Sequence, residues 1–506
     1  MTDTSHIDNR QRIWIIGATL MALFLGAMDA LVITAAMPSI ISDLGGLDLY
    51  AWVYSAYFLA RAVSLPVFGK LADLYDTRKL FLVSISLFLL ASAAAGASPS
   101  MAFLVAARVV QGIGAGGNFA LVYIVLSDVA LPGRRARTLS LASSIWGISS
   151  VIGPSLGGFI VTWFSWRWIF YINVPLGIVS LFVIGIYLRE FRKKNPETRL
   201  DLVGACLLTG FILSLLTLFI SGGRTHAWGS TWSLSMAILA LGLGIGFIFA
   251  EHRAADPILN PNFFKSRLFS LGNGAAFFAS FAIFALFAYS PLFVQGALSR
   301  TPMETGLAML SLSLGWSMGS LVLGRVMHRF SEKPAALAGG AMLVTGGLMT
   351  LGFTPNTTMT TCFLVFLIMG LGMGFVTLST LLLVQGSLSD KDLGVSTSSH
   401  QFFRTLGGTI GVGVCGGLVT TGLVNRLDSA VQSLPPQLFL QLKQSTENLF
   451  KPEFQALLTP DSRAVLEEAV AGGLGSAFWV VAAASILCLV LAAALPAGEK
   501  RDSLEN

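Results

Sequence analysis

Residues Ile13–Met37 read IWIIGATLMALFLGAMDALVITAAM, an apolar run in which Asp29 is the single charged residue. A hydrocarbon layer about 30 Å thick is crossed by a helix of roughly 20 residues, so this run is long enough to span a membrane. A carboxylate at such depth is costly unless it has a partner, a water-filled cavity or a proton to exchange. The stretch therefore predicts a membrane helix that carries its acid for a functional reason.

The composition of the whole chain indicates a membrane protein. Of its 506 residues, 54% are hydrophobic and 11% are charged, and the mean hydropathy is +0.75. A soluble domain would carry about 25% charged residues. The four cysteines lie in apolar segments and lack the spacing of a metal site or a disulfide framework. We predict an all-α polytopic membrane protein.

Fourteen apolar segments are long enough to be membrane helices. Their approximate limits are 13–37, 51–69, 80–97, 101–126, 139–163, 168–188, 201–221, 232–250, 268–292, 305–324, 335–353, 360–385, 404–424 and 473–496. An even number places both termini on one side, and the Lys and Arg clusters of the loops select the cytoplasmic side. Because the net charge of +6 is spread over these short clusters, no nucleic-acid-binding face is expected.

Two loops indicate an internal duplication. Gly69–Lys79 joins the second and third spans, and Gly324–Lys333 joins the tenth and eleventh. Each has a small residue at a helix end, a titratable residue four positions on and basic residues nearby. Many secondary transporters are built from two such repeats around a site at the membrane midplane.

The duplication divides the chain into three parts. We predict a six-helix bundle over 1–190, two linker helices over 191–266, and a second six-helix bundle over 267–506 with a long outer loop at about 425–472. That loop contains Pro435-Pro436 and short apolar stretches. A tolerated surface insertion and short amphipathic helices both fit it.

Two arginines lie at a depth similar to that of the buried acid. Arg108 is about seven residues, or roughly 10 Å, below the outer end of its span, and Asp29 is roughly 12 Å below the same face. Arg61 in the second span is close enough in depth to join them. We expect Arg108, assisted by Arg61, to compensate Asp29 when it is ionised. A static ion pair that only orients helices is the alternative.

The fifth span has a distinctive set of small residues: Ser149, Gly153, Pro154, Gly157 and Gly158. Proline removes a backbone hydrogen bond and bends a helix, and nearby glycines let a neighbouring helix approach closely. The pattern predicts a bendable packing seam, with generic small-residue packing as the alternative.

The sequence contains no recognisable nucleotide or metal site. Gly112-x-Gly114-x-Gly116 lies within a membrane span, follows no strand and lacks the Lys-Ser/Thr of a phosphate-binding loop. The five histidines show no metal-ligand spacing. We therefore predict no cofactor, no metal and no catalytic residues, with a proton gradient as the energy source.

Aromatic residues supply apolar surface on the second, fifth and ninth spans. Such surface suits large and variable apolar ligands, because it provides contact area without demanding fixed hydrogen-bond geometry. The candidates for a substrate cavity are Tyr54, Tyr57, Trp146, Phe281 and Phe284. Facing lipid or neighbouring helices is the alternative for each of them.

Together these motifs resemble the major facilitator superfamily, in particular its fourteen-helix drug:proton antiporters, over essentially the whole chain. The loop Gly69–Lys79 is similar to the family's G-x-L-a-D-r-x-G-r-k gating signature. The matching residues are Gly69, Leu71, Asp73 and Arg78, and the departures are Leu74, Asp76 and Thr77. The resemblance implies cytoplasmic gating by Gly69, Asp73 and Arg78, and by His328 and Arg329 in the second loop.

Three more segments resemble the same family. The segment around Arg108 is similar to its R-x-x-q-G-x-g pattern, and Gly153–Gly158 is similar to its antiporter signature. Asp29 occupies the acidic position of the family's D-x-T-x-x-N-x-A-L-P stretch. In that stretch Ala36 and Pro38 fit, whereas Leu31 and Thr34 depart.

The resemblance implies alternating access, in which Asp29 takes a proton from outside and releases it inside while a lipophilic compound is exported. The implied partners are a lipophilic small molecule, protons and membrane lipid, and we expect a multi-pass monomer in the bacterial cytoplasmic membrane. An exporter of one specific lipid or metabolite shares every motif, and a membrane-embedded enzyme is a more remote alternative. Substrate charge stays open, because Arg61 and Arg108 leave the deep charge net positive if all three groups are ionised.

Overall fold

The computed structural model describes residues 8–131, 135–189, 201–221, 226, 229–255, 257–258, 260–326, 331–388, 393–431, 435, 454–455 and 457–496, which are almost entirely helical. The α-helices within these ranges are α1 (Asn9–Leu44), α2 (Tyr50–Leu74), α3 (Thr77–Gly96), α4 (Met101–Asp128), α5 (Arg135–Trp163), α6 (Trp168–Tyr171), α7 (Asn173–Tyr187), α8 (Leu202–Ser221), α9 (Thr231–Arg253), α10 (Arg267–Leu292), α11 (Pro302–Val326), α12 (Glu332–Thr350), α13 (Met359–Gly386), α14 (Leu393–Val431) and α15 (Pro460–Ala494). A π-helical turn, Phe293–Ala297, extends α10.

Each predicted span corresponds to one helix, although the ends differ, and the sixth span is divided into α6 and α7. Within the described ranges, twelve helical segments are long and apolar enough to cross a membrane. The Gly-rich and Ala-rich α12 is not among them, and α5 contributes only a shorter apolar stretch, Ile152–Trp163. The all-α polytopic membrane fold is therefore confirmed. The number of fourteen crossings and the cytoplasmic side of the termini stay predictions.

Two helices extend far beyond the spans predicted for them. α14 begins at Leu393, not at 404, so Arg404 lies eleven residues inside the helix. α14 ends at Val431 and α15 begins at Pro460, so both ends of the predicted loop 425–472 are helical. Hydropathy locates the part of a helix in lipid, whereas the helix itself continues as long as its backbone hydrogen bonds do. The middle of that loop lies largely outside the described residues.

Local chemistry explains the ends of several helices. Gly45 and Gly46 have φ of 68° and 74° where the chain turns from α1 towards α2, a conformation that glycine adopts readily. The Asp76 side chain accepts a hydrogen bond from the backbone N–H of Lys79 at 3.0 Å and thereby caps α3. The aspartate that departs from the gating signature thus begins the next helix.

Helix pairing repeats between the two halves of the chain. In the first half α4 packs against α2 and α3, and α1 packs against α5 and α7. In the second half α13 packs against α11 and α12, and α10 packs against α14 and α15. The halves meet along α5–α11 and α2–α14, while α8 pairs with α9 and also touches α2 and α14. The limits of the three predicted parts stay predictions.

The same glycine spacing makes the close contacts of α4 and α13. In α4, Gly112 and Gly116 face α2 and Gly114 faces α3. In α13, Gly370 and Gly374 face α11 and Gly372 faces α12. A Cβ at Gly114 would stand 2.6 Å from the backbone N of Phe88. One at Gly372 would stand 2.7 Å from a carbonyl oxygen of α12. Small residues permit this approach, so the Gly112–Gly116 segment is a helix-packing motif.

Candidate functional site

Asp29 lies in the middle of α1 and is only 1% exposed. Its Oδ2 accepts a hydrogen bond from Arg108 Nη1 at 2.5 Å. Its Oδ1 accepts from Gln111 Nε2 at 2.8 Å and from Asn173 Nδ2 at 3.0 Å. Three donors from α4 and α7 therefore stabilise an ionised carboxylate that would be costly to bury alone.

Arg108 is itself held from several directions. Its Nη1 also donates to Gln111 Oε1 at 2.8 Å, and its Nε donates to the carbonyl oxygen of Val53 at 3.3 Å. The guanidinium carbon lies 3.9 Å from the centroid of the Tyr57 ring. Arginine combines planar hydrogen bonding with stacking on aromatic rings, so α2 fixes the cation that faces Asp29.

The polar network extends to α3. Asn173 Nδ2 also donates to Ser92 Oγ at 3.0 Å, and Ser92 Oγ donates to the carbonyl oxygen of Phe170 at 2.9 Å. The Tyr57 hydroxyl donates to the carbonyl oxygen of Gly26 at 3.1 Å. The network thus joins α1, α2, α3, α4, α6 and α7, which all belong to the first half of the chain.

Arg61 takes a position different from the one predicted beside Asp29. Its guanidinium carbon lies 4.7 Å from the centroid of the Phe119 ring. The side chains of Tyr57 and Tyr123 lie near the same guanidinium group. Among the described residues, Tyr57 connects Arg61 to the Asp29 site, because the Tyr57 ring stacks on Arg108. The roles of Asp29, Arg108 and Arg61 in proton coupling stay predictions.

The predicted gating residues are only partly described. Arg78 Nη2 donates to the carbonyl oxygen of Gly185 and so joins the start of α3 to α7. In the second half Lys333 Nζ makes the equivalent contact, at 2.5 Å, to the carbonyl oxygen of Leu495 just after α15. Among the described residues, no atom lies within 4 Å of the position that a Cβ at Gly69 would take. The Asp73 side chain, His328 and Arg329 lie outside the described residues, so gating stays a prediction.

The glycines of the antiporter-like motif face two neighbours. A Cβ at Gly153 would stand 2.9 Å from Leu31 Cβ, and one at Gly157 would meet the carbonyl oxygen of Val32, so both glycines pack on α1. Gly158 faces α11, where a Cβ would stand 2.7 Å from the carbonyl oxygen of Pro302. Pro154 lies within the same helix. This part of α5 therefore lies between the helix that carries Asp29 and the second half of the chain.

The aromatic candidates whose side chains the structure describes are all buried. Tyr54 and Tyr57 are 2% and 0% exposed, and Tyr57 is part of the Arg108 site. Phe281 and Phe284 are 8% and 9% exposed. The Trp146 side chain lies outside the described residues. In this conformation the Arg108 guanidinium covers one face of the Tyr57 ring, and the assignment of these aromatic residues to a substrate cavity stays a prediction.

The two halves touch near the helix ends that are predicted to face outwards. Gln295 Nε2 donates to the carbonyl oxygen of Ala35 at 3.1 Å, and the Tyr50 hydroxyl donates to that of Ala288. Further from these ends, the Ser55 hydroxyl donates to the carbonyl oxygen of Thr409, near the middle of α14, at 3.4 Å. These contacts join α1 and α2 of the first half to α10 and α14 of the second.

Sequence reasoning missed Ser92 and Asn173 as site residues, Gln111 as a ligand of Asp29, and the depth of Arg404. Asn173 could have been noticed, because it is an amide within an apolar span. Arg404 was placed at a span boundary, and only the full length of α14 reveals its depth.

Comparisons with known proteins agree with this architecture. The sequence profile of the Major Facilitator Superfamily matches residues 19–412. Multidrug transporter protein MdtP of Bacillus subtilis (strain 168) is 34% identical over 461 residues, which cover 89% of this chain and 85% of the relative. Multidrug resistance protein 3 of the same organism is 30% identical over 435 residues, which cover 85% of this chain and 84% of the relative.

Solved structures share the fold at low sequence identity. A bacterial homologue of the human lysosomal transporter Spinster, in an inward-facing and occupied conformation, gives a TM-score of 0.66 at 13% identity and covers 97% of this chain and 98% of its own. The nucleoside transporter NupG gives 0.57 at 10% identity, with 94% and 99% covered. Structures named for such different functions leave the substrate to be argued from the residues of this chain.

Proposed function

This chain belongs to the Major Facilitator Superfamily, and we propose that it is a proton-coupled antiporter that exports lipophilic or amphipathic compounds across the bacterial cytoplasmic membrane. Family membership and the named relatives identify it as a multi-pass membrane transporter and not as an enzyme. Proton coupling, the direction of exchange and the type of membrane are the proposed parts.

The observation that carries proton coupling is the buried carboxylate of Asp29 with its three donors. Protonation would neutralise Asp29 and leave Arg108 without its counter-ion, so the two protonation states favour different packing of α1 against α4. A ligand or proton can shift a conformational equilibrium only by such a difference in interaction energy. Asp29 is therefore the group whose proton would bias the transporter between its two conformations.

The packing of α5 can transmit a shift of α1, the helix that carries Asp29, to the second half of the chain. Leu31 and Val32, two and three residues after Asp29, are the contacts of Gly153 and Gly157. One residue further, Gly158 contacts α11. A shift of α1 on protonation would thus be transmitted through α5 to the second half, which is the rocking motion that alternating access requires.

The export of drugs is proposed from the relatives. Two proteins whose names describe multidrug transport or resistance are at least 30% identical to this chain over more than four fifths of it. The aromatic side chains at the interface of the halves, among them Phe58 and Phe284 with ring centroids 5.1 Å apart, would supply apolar contact area for such compounds.

The test is a transport measurement in liposomes that contain a pH dye. Wild type, Asp29→Asn and Asp43→Asn are reconstituted, and proton movement is recorded when ethidium or an amphipathic sulfonate is added. Asp43 is a matched control, because it lies at the end of α1 in a half-exposed ion pair with Arg167. We expect substrate-dependent proton flux in wild type and Asp43→Asn, and none in Asp29→Asn.

Each other outcome has a definite meaning. Unchanged flux in Asp29→Asn would remove this residue from the proton pathway. Substrate movement without proton movement in wild type would contradict antiport. No movement of either compound by a folded wild-type protein would contradict multidrug export and favour a transporter of one specific lipid or metabolite.

A further inference from the structure

Arg404 is a further deep cation, in addition to Arg61 and Arg108, and it lies outside the hydrogen-bond network around Asp29. It lies eleven residues, or about 16 Å, from the start of α14. Its guanidinium carbon is 5.3 Å from the centroid of the Trp316 ring of α11, and its Nη1 donates to Gln401 Oε1 at 2.9 Å. Among the described residues no carboxylate pairs with Arg404, and its buried Nε has no hydrogen-bond partner. Such a cation within a membrane protein marks a functional site.

Arg61 approaches Arg404 from the other half of the chain. The helices α2 and α14 pack antiparallel, because Ala51 lies against Gly416 and the Ser55 hydroxyl donates to the carbonyl oxygen of Thr409 at 3.4 Å. Arg61 lies six residues after Ser55 and Arg404 lies five residues before Thr409, so this packing brings the two arginines to the same level, with Tyr123 of α4 near both. Like charges repel strongly where the dielectric constant is low. An anion between Arg61 and Arg404 would replace this repulsion with two attractions.

Aromatic rings from both halves border the arginine pair. Phe119 lies beneath Arg61 and pairs with Tyr123 at 5.1 Å between ring centroids. On the other side Trp316 lies beneath Arg404 and pairs edge-on with Phe284 at 6.3 Å. A polar centre with apolar walls is typical of small-molecule sites.

We propose that amphipathic monoanions, such as aromatic sulfonates and carboxylates, bind between Arg61 and Arg404 with their apolar part against Trp316 and Phe284. This substrate class rests on the proposed export function. The bound anion would contact both halves, so its affinity depends on how closely they approach. It would also reach the proton site through few contacts, because Arg61 interacts with Tyr57 and Tyr57 stacks on Arg108.

A pair of probes with the same ring and opposite charge tests the proposal. Binding of naphthalene-2-sulfonate and of 2-naphthylmethylammonium to the purified protein is measured by titration calorimetry in detergent, without a proton gradient. We expect the sulfonate to bind at least about tenfold more tightly, the difference that one charge-assisted hydrogen bond supplies. Equal or tighter binding of the ammonium probe would overturn the proposal.

Variants of Arg404 and Arg61 test whether these two residues bind the sulfonate. Arg404→Gln should weaken sulfonate binding about tenfold, Arg404→Lys should retain most of it, and Arg61→Gln should weaken it independently. Arg463→Gln is the control, because Arg463 lies near the start of α15 and is exposed. Unchanged sulfonate affinity in both folded glutamine variants would overturn the proposal; if Arg404→Gln does not fold, Arg61→Gln decides alone.

The proposed function and the proposed substrate class fail in different ways. A protein that prefers the sulfonate but moves no protons in liposomes would contradict antiport and leave the anion site standing. A protein that exchanges ethidium for protons and shows no preference for the sulfonate would contradict the anion site alone.

Discussion

The two halves of the molecule pack their helices in the same way but have different side chains at corresponding positions. When Gly112 of α4 is matched with Gly370 of α13, Arg108 corresponds to Phe366, and Gln111 corresponds to Met369. All four of these side chains are at most 1% exposed. The first half therefore builds a charged network where the second half has an apolar core. The glycine spacing determines how closely helices pack, and the residues before it determine the chemistry.

Under the proposed mechanism the first half binds the proton, and the second half changes conformation in response. A proton at Asp29 changes hydrogen bonds within the first half, because the donors to that carboxylate among the described residues, Arg108, Gln111 and Asn173, lie there. The second half must respond through contacts such as that of Gly158 with α11. Substitutions at corresponding positions of α4 and α13 test this difference between the halves.

The largest effect is expected at Arg108. Arg108→Met leaves Asp29 buried without its counter-ion, which costs about 3–5 kcal/mol of unfolding free energy. The corresponding Phe366→Met should cost only about 1 kcal/mol, because it replaces one apolar side chain with another. Unfolding in detergent followed by circular dichroism measures both. Adding Asp29→Asn to Arg108→Met should restore part of the loss, and equal losses in the two single variants would contradict the comparison.

The packing glycines should respond alike in both halves. A Cβ at Gly112 would meet the carbonyl oxygen of Tyr57, and one at Gly370 would meet that of Leu312. We expect each Gly→Ala change to lower the unfolding free energy by about 1–3 kcal/mol through overpacking. Gly17→Ala is the control, since nothing lies within 4 Å of its Cβ position and alanine favours a helix. A large effect in only one half would refute a shared packing scheme.

A smaller effect is expected at Gln111. Gln111→Met gives α4 the residue that α13 has at the corresponding position and removes one of the three donors to Asp29. We expect a loss of about 1–2 kcal/mol in unfolding free energy and slower substrate-dependent proton flux. Met369→Leu, a volume-conserving change in the apolar half, should leave the flux unaltered. Flux that falls equally in both variants would mean that the donor to Asp29 is not the cause.

The smallest effect is expected at the other carboxylate of α1. Asp43 Oδ2 accepts hydrogen bonds from Arg167 at 2.6 Å and from Trp166 at 2.9 Å, but the ion pair is half exposed. Exposed pairs contribute about 0–1 kcal/mol and are screened by salt. Asp43→Asn should therefore lower the unfolding free energy by less than about 1 kcal/mol, and less at high salt. A loss as large as that of Arg108→Met would show that burial does not distinguish the two carboxylates.

The membrane fold, the place of the helices and the depth of Asp29 and Arg108 follow from the sequence alone. Apolar length and helical rise follow from the order of residues along one chain, so these features can be derived from local patterns. The antiporter-like motif was also visible, because its proline and glycines have a fixed spacing along one helix, whereas the neighbours that they contact could not be read from the sequence. The ends of α14 were not, since a helix continues past the lipid-facing segment that hydropathy detects.

Only the tertiary structure decided which polar side chains meet. Asn173 is 144 residues from Asp29 along the chain, yet their side chains are 3.0 Å apart. Arg61 was expected beside Asp29 but contacts Phe119, because equal depth does not specify which side of a helix faces which neighbour. The approach of Arg61 to Arg404 likewise depends on how the two halves of the chain meet. These contacts depend on the rotation and packing of helices, which the residues of a single helix do not determine.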